Sequence, residues 1–144
     1  MKETHEPDAA ALARLLAQLS GDLVLVVDTV GQVTTVACGD ETPAPDGAHH
    51  WVGRAWVETV TPETRHKVGR MLQELAQGGR ARRRELNHPR QDGSCAAFAY
   101  HAVRLGGEGP CLALGRDLSE QSALQQRLLQ AQREALTPRR LPSR

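Results

Sequence analysis

The run Leu23-Val24-Leu25-Val26-Val27 limits what this chain can become more than any other segment. Continuous apolar character with three β-branched valines suits a strand, and neighbouring strand residues point to opposite faces. Both faces of such a strand must therefore be covered, which excludes a sheet with one side open to water at this position. Asp28-Thr29-Val30-Gly31 reads as a turn and Gln32 to Cys38 as the returning strand of a hairpin. Val33 and Val36 both face inward only if the pleat bends between them.

Ahead of the hairpin, Asp8 to Ser20 carries Leu12, Leu15, Leu16 and Leu19 at helical spacing, with Pro7 near its first turn and Ser20-Gly21 as a stop. After it, Gly39 to His50 holds Pro43, Pro45, Asp46 and Gly47 and reads as a loop. Trp51 to Trp56 places two large apolar anchors around Gly53, as in a short helical turn folded over a core. Thr61-Pro62-Glu63 opens the long helix, with Thr61 as cap, Pro62 at the first helical position and Glu63 near the positive end of the dipole. Its apolar stripe is Val68, Met71, Leu72 and Leu75, and Gly78-Gly79 ends it. The remainder reads as three strands, Arg80 to His88, Ser94 to Leu105 and Pro110 to Arg116, joined by turns at Pro89–Gly93 and Gly106–Gly109. Phe98 and Tyr100 share one face of the second. Asp117 or Ser119 caps a final helix that runs to about Leu136, Pro138 stops it, and an Arg- and Pro-rich tail is expected to be disordered.

With 144 residues there is room for one domain and a helical extension. Aromatic residues are 3% of the chain, so the core is built mainly from Leu, Val and Ala. A formal charge of +1 implies neither nucleic acid nor membrane binding by itself. No apolar run approaches the roughly 18 residues of a membrane span, and the polar start Met1-Lys2-Glu3-Thr4-His5-Glu6 has no signal-peptide core behind it. A cytoplasmic protein is expected. Cys38, Cys95 and Cys111 are widely separated, which argues against a disulfide framework or a four-ligand zinc site and for buried thiols acting as small hydrophobes.

The order helix, two strands, short helical segments, long helix, three strands, helix resembles the PAS fold from about Asp22 to Leu118. Val52-Gly53-Arg54 leading to Thr61-Pro62-Glu63, and the closing Leu114-Gly115-Arg116-Asp117-Leu118, carry that resemblance. Trp51 to Val60, Leu86-Asn87-His88-Pro89, Ala102 to Gly106, Gly115 to Leu118 and Leu124 to Leu128 are further similar to the PpsR/CrtJ photosynthesis-gene repressors. The resemblance implies an α+β fold: a five-stranded antiparallel sheet with helices on one face, an N-terminal amphipathic helix and a coiled-coil-like C-terminal helix. The expected divisions are an N-terminal cap over 1–21, a PAS domain over 22–118, a signalling and dimerisation helix over 119–137 and a tail over 138–144. Those repressors also carry a DNA-reading helix-turn-helix, and no such helix pair occurs in this chain. It is expected to be a fragment of such a regulator or a stand-alone relative, and sequence-specific DNA binding does not carry over.

Chemistry in this framework is that of a sensor. Leu124, Leu128, Ala131 and Ala135 follow the four-three-four spacing of a coiled-coil seam. Self-pairing through Leu124, Leu128 and Ala131, with Leu12 and Leu16 of the first helix, makes a homodimer the expected assembly, other regulatory proteins being further candidate partners. A pocket between the long helix and the sheet would be lined by Trp56, Val68, Leu72 and Phe98, with His66 as the best-placed axial ligand were haem to enter. His66 lies two positions from Val68 and points off the apolar stripe, so no cofactor is expected; a small-ligand or haem sensor is the alternative reading. The Asn-Cys-Arg motif of flavin-binding relatives is absent. The PpsR-like group is regarded as redox-responsive, which makes Cys38, at a strand end before a loop, the candidate thiol, while Cys95 and Cys111 fall in adjacent strands as potential neighbours. Arg80, Arg82, Arg83 and Arg84 form the densest basic run, but strand alternation sends Arg83 away from Arg82 and Arg84, leaving too few convergent charges for strong phosphate binding. No GxSxG, HExxH or Walker pattern is present, and Gly106-Gly107-Glu108-Gly109 is not followed by a helix, so no enzymatic activity is expected.

Overall fold

The computed structural model describes residues 8–39, 45 and 47–136, with the backbone alone at 120–123. Expectations for Pro7, for most of the loop before Gly47, for Pro138 and for the tail fall outside these residues. Helix α1 (Ala9–Ser20) starts where Asp8 accepts a hydrogen bond from the Ala10 amide at 3.1 Å and ends at Gly21, whose φ of 73° makes the left-handed cap. Strands β1 (Leu23–Val27) and β2 (Val33–Ala37) form the hairpin. Their register slips between Val26 and Val27, so Val26 faces Thr35 while Val27 faces Val33. This bulge supplies the bend that lets Val33 and Val36 both reach the same core.

Three single-turn 3-10 helices follow, at Ala48–Trp51, Trp56–Thr59 and Pro62–Thr64, and lead into α2 (Arg65–Gly78). Pro62 does occupy a first helical position, but the turn it opens is 3-10 and the α-helix begins only at Arg65. Thr61 makes no side-chain cap; its hydroxyl faces that of Thr64 at 3.2 Å, and Thr64 donates to the Thr61 carbonyl. Val68, Met71 and Leu75 are buried, with Leu72 half-buried beside them. Strands β3 (Arg80–Pro89), β4 (Cys95–Arg104) and β5 (Cys111–Asp117) precede α3 (Ser119–Leu136).

The five strands form one antiparallel sheet in the order β2-β1-β5-β4-β3. Leu23 faces Gly115 and Val27 faces Cys111, so the two strands most distant in sequence are adjacent. On one face the 3-10 turns and α2 cover Leu23, Leu25, Val27, Phe98, Tyr100 and Ala113. On the other, α1 lays Ala13 and Ala17 over Val24, Val26, Ala37 and Leu112. Every residue of β1 is thereby buried, as its sequence demands. Each of its five side chains contributes roughly 1.5–3 kcal/mol of burial.

Leu12 and Leu16, expected at a dimer contact, pack half-buried against this chain's own sheet, and the leucines that α1 leaves to solvent are Leu15 and Leu19. The small, fully buried residues at 13 and 17 fit this face, since short side chains let the helix backbone approach the sheet closely. The free edge of β3 is covered by side chains and a neighbouring turn. Glu74 takes the Arg82 amide at 2.9 Å, Lys67 donates to the Glu85 carbonyl at 3.0 Å, and the Thr61 amide donates to the Asn87 carbonyl at 2.8 Å. These contacts occupy groups that would otherwise template another strand.

Candidate functional site

The centre of the inner face is a polar contact in an apolar core. In β3, Leu86 and His88 point inward at a two-residue interval, and both are fully buried. The His88 Nδ1 lies 2.7 Å from the Thr59 carbonyl oxygen, which can only accept, so Nδ1 carries the proton. Nε2 is then an acceptor and takes the Tyr100 hydroxyl at 2.6 Å. Trp51 stacks on the imidazole with centroids 4.2 Å apart, and Phe98 meets it edge-on at 5.5 Å. The ring is thus neutral, fully bonded and enclosed. Burial pushes its pKa down to about 4, only partly opposed by the Thr59 carbonyl. Burial, and secondarily the charge of a Cys38 thiolate, raises the Tyr100 phenol well above its ordinary value.

Tyr100 links this centre to the strand that feeds α3. A Cβ placed on Gly115 would come within 2.7 Å of Tyr100 Cε1 and 2.8 Å of Cζ, so the ring occupies the space a side chain would need. Two residues further on, Asp117 accepts from the Ser119 amide at 2.8 Å, and the buried Leu118 donates its amide to the Ala97 carbonyl at 2.9 Å. The Arg90 guanidinium reaches the Ser119 hydroxyl at 3.3 Å. The start of α3 is therefore pinned to β4 and to the β3–β4 turn. Beyond it, Leu124, Leu128 and Leu129 are each more than half exposed, and Ala131 is exposed.

Of the residues expected to line a pocket, Trp56, Val68 and Phe98 are brought together in the core with Leu72 at its margin. Trp56 meets Tyr100 edge-on at 5.8 Å, and its Nε1 is a buried donor without an acceptor among the described residues. His66 is not among them; it is exposed and lies in a groove with Lys67 and Arg70. The residues present do not fit haem: His66 faces away from the core, and both nitrogens of His88 are already engaged. Among the described residues no group of three or more His, Cys, Asp or Glu is placed to hold a metal, and no helix is long and apolar enough to cross a membrane.

The thiols differ from expectation. Cys95 is the exposed one, whereas Cys38 is half-buried and its pKa is raised by burial, the opposite of thiolate activation. Cys95 and Cys111 are not neighbours. Cys95 pairs with Pro89 at one end of β4, and Cys111 pairs with Arg104 at the other. His88, which the sequence ranks behind His66 as a ligand, is the histidine that the core encloses, and its two-residue offset from Leu86 is the sequence signal for that.

The PAS fold family matches residues 18–123 of the chain. Protein CrtJ of Rhodobacter capsulatus is 28% identical over 111 residues, which is 77% of this chain and 24% of that protein. The chain thus spans about a quarter of that relative's length. The PAS domain of an HTR-like protein from Haloarcula marismortui is 26% identical, with a TM-score of 0.52 over 76% of this chain and 92% of that one. A PAS domain from Colwellia psychrerythraea superposes with a TM-score of 0.60 at 16% identity, over 78% and 99% of the two chains. With the strand order, the helical middle connection and a match across most of its length, the chain belongs to the PAS family.

Proposed function

We propose that this chain is the sensory and self-pairing module of a CrtJ-like transcriptional regulator. It acts by transmitting a change in its core to α3, not by catalysis. The observation that carries this reading is the exposure of Leu124 and Leu128, 55% and 60%, on a helix whose first turn is fixed to the sheet. Such a helix gains by pairing: burying the two leucines against a second copy contributes on the order of 1.5–3 kcal/mol each. The signal route follows from one chain of contacts. A change at His88 or Trp56 moves Tyr100, Tyr100 rests on Gly115, and Gly115 precedes the Asp117–Ser119 junction. The mass of the chain in solution, compared with Leu124→Asp/Leu128→Asp, tests the pairing. A dimer that the double substitution converts to monomer supports it; a monomeric unsubstituted chain removes it.

A second reading, a small-ligand sensor, draws support from the unpartnered Trp56 Nε1, since a buried donor without an acceptor costs about 1–3 kcal/mol. A ligand offering a hydrogen-bond acceptor would relieve it. Small acceptor-bearing ligands that raise the melting temperature of the unsubstituted chain but not of Trp56→Phe would favour this reading.

A further inference from the structure

Between residues 65 and 90 there are eight Lys or Arg against two Glu, a local excess of +6 on a chain whose total is +1. Tertiary structure gathers much of this charge into one place. α2 supplies His66, Lys67 and Arg70, and β3 supplies Arg82, Arg83 and Arg84, to a groove of about 560 Å³ whose one acidic lining residue is Glu85. Convergence depends on an irregularity: the β3–β4 register shifts between Ala81 and Arg84, so regular strand alternation does not govern Arg82 and Arg83.

Not all of these cations are free. Arg84 is held by both Glu74 oxygens at 2.7 Å, Lys67 is on the Glu85 carbonyl, and Arg83 lies 3.8 Å from the Glu85 carboxylate. The side chains of His66, Arg70 and Arg82 have no hydrogen bond or ion pair among the described residues.

We propose that this groove holds the phosphate backbone of nucleic acid without reading its sequence. Arg guanidinium groups offer planar forks that match phosphate oxygens. The lining includes no aliphatic or large aromatic side chain. A protein partner normally needs an apolar anchor at the centre of its contact, whereas nucleic-acid contacts are strongly positive and polar. No Phe, Tyr or Trp is available there for stacking bases, and the side chains that α2 and β3 bring to it are almost all cationic, so the contact is with the phosphate backbone.

Fluorescence anisotropy of a labelled mixed-sequence DNA duplex, titrated with the whole chain, tests this directly. About three phosphate contacts would weaken binding roughly 40-fold between 50 mM and 200 mM salt. Arg70→Ala/Arg82→Ala leaves the Glu74–Arg84 and Lys67–Glu85 contacts intact and is expected to keep the wild-type melting temperature. It should weaken binding at least about tenfold and reduce the salt slope by about 2. Arg14→Ala/Arg54→Ala removes the same charge elsewhere and should change affinity less than about threefold. Absence of binding at 50 mM salt would overturn the proposal, as would equal losses in the two variants. Tighter binding of a labelled polyglutamate peptide than of the duplex would assign the groove to an acidic protein segment and overturn it as well.

Discussion

Gly115 lies against the ring of Tyr100 so closely that no other residue fits: a Cβ would sit 2.7 Å from Cε1. One hydrogen on the last strand thus keeps the tyrosine hydroxyl within 2.6 Å of His88 Nε2. Gly115→Ala forces the ring aside and is expected to destabilise the domain by about 1–3 kcal/mol. Tyr100→Phe keeps the ring and leaves Nε2 without a donor, at a similar cost of about 1–3 kcal/mol. Urea unfolding of each variant and of the pair reads the coupling. Fully additive losses would show that the glycine does not act through the tyrosine.

Acid should weaken the domain through His88. Its folded pKa of about 4 lies below the ordinary 6.5, so the unfolded chain takes up a proton that the folded chain refuses. The stabilising contribution is complete above pH 6.5 and declines as pH falls through the window to about 4, by on the order of 3 kcal/mol in all. Urea midpoints at pH 7 and pH 5 should differ accordingly. His88→Leu should show less change across this interval.

A second acid-sensitive contact holds α2 to β3. The Arg84 fork and the Arg82 amide keep Glu74 ionised down to about 2, with the side-chain bond to Arg84 the largest influence. Here the contribution is present above pH 4.5 and is lost as pH falls through about 2. Glu74→Gln should lower the melting temperature at neutral pH, and the gap from the unsubstituted chain should narrow as pH falls below 4.5.

Thiol chemistry should report the burial order. Cys95 is exposed, while burial raises the pKa of both Cys38 and Cys111. An aromatic disulfide reagent at neutral pH should show one fast phase that Cys95→Ser abolishes. A fast phase that survives this substitution and disappears in Cys38→Ser would restore Cys38 as the redox candidate.

Much of the architecture was legible because local patterns and the final packing agree. The Leu23–Val27 run demanded cover on both faces, and α1 and α2 supply it. Gly21 and Gly79, with φ near 75°, end the helices where the composition changes. Less was legible where two distant segments meet. Leu12 and Leu16 carry a helical stripe that fits a partner chain or a sheet equally well, and only the docking of α1 assigns them to the sheet.

The order of the elements and the shared face of Phe98 and Tyr100 follow from periodicity, which is a property of the chain alone. That both nitrogens of His88 find partners, that Cys38 is half-covered and that the arginines of β3 join Arg70 of α2 follow from which strands pair and where the register slips. Burial and charge convergence are sums over neighbours distant in sequence. Neither exists until the sheet has closed its order and the bulge has turned the side chains.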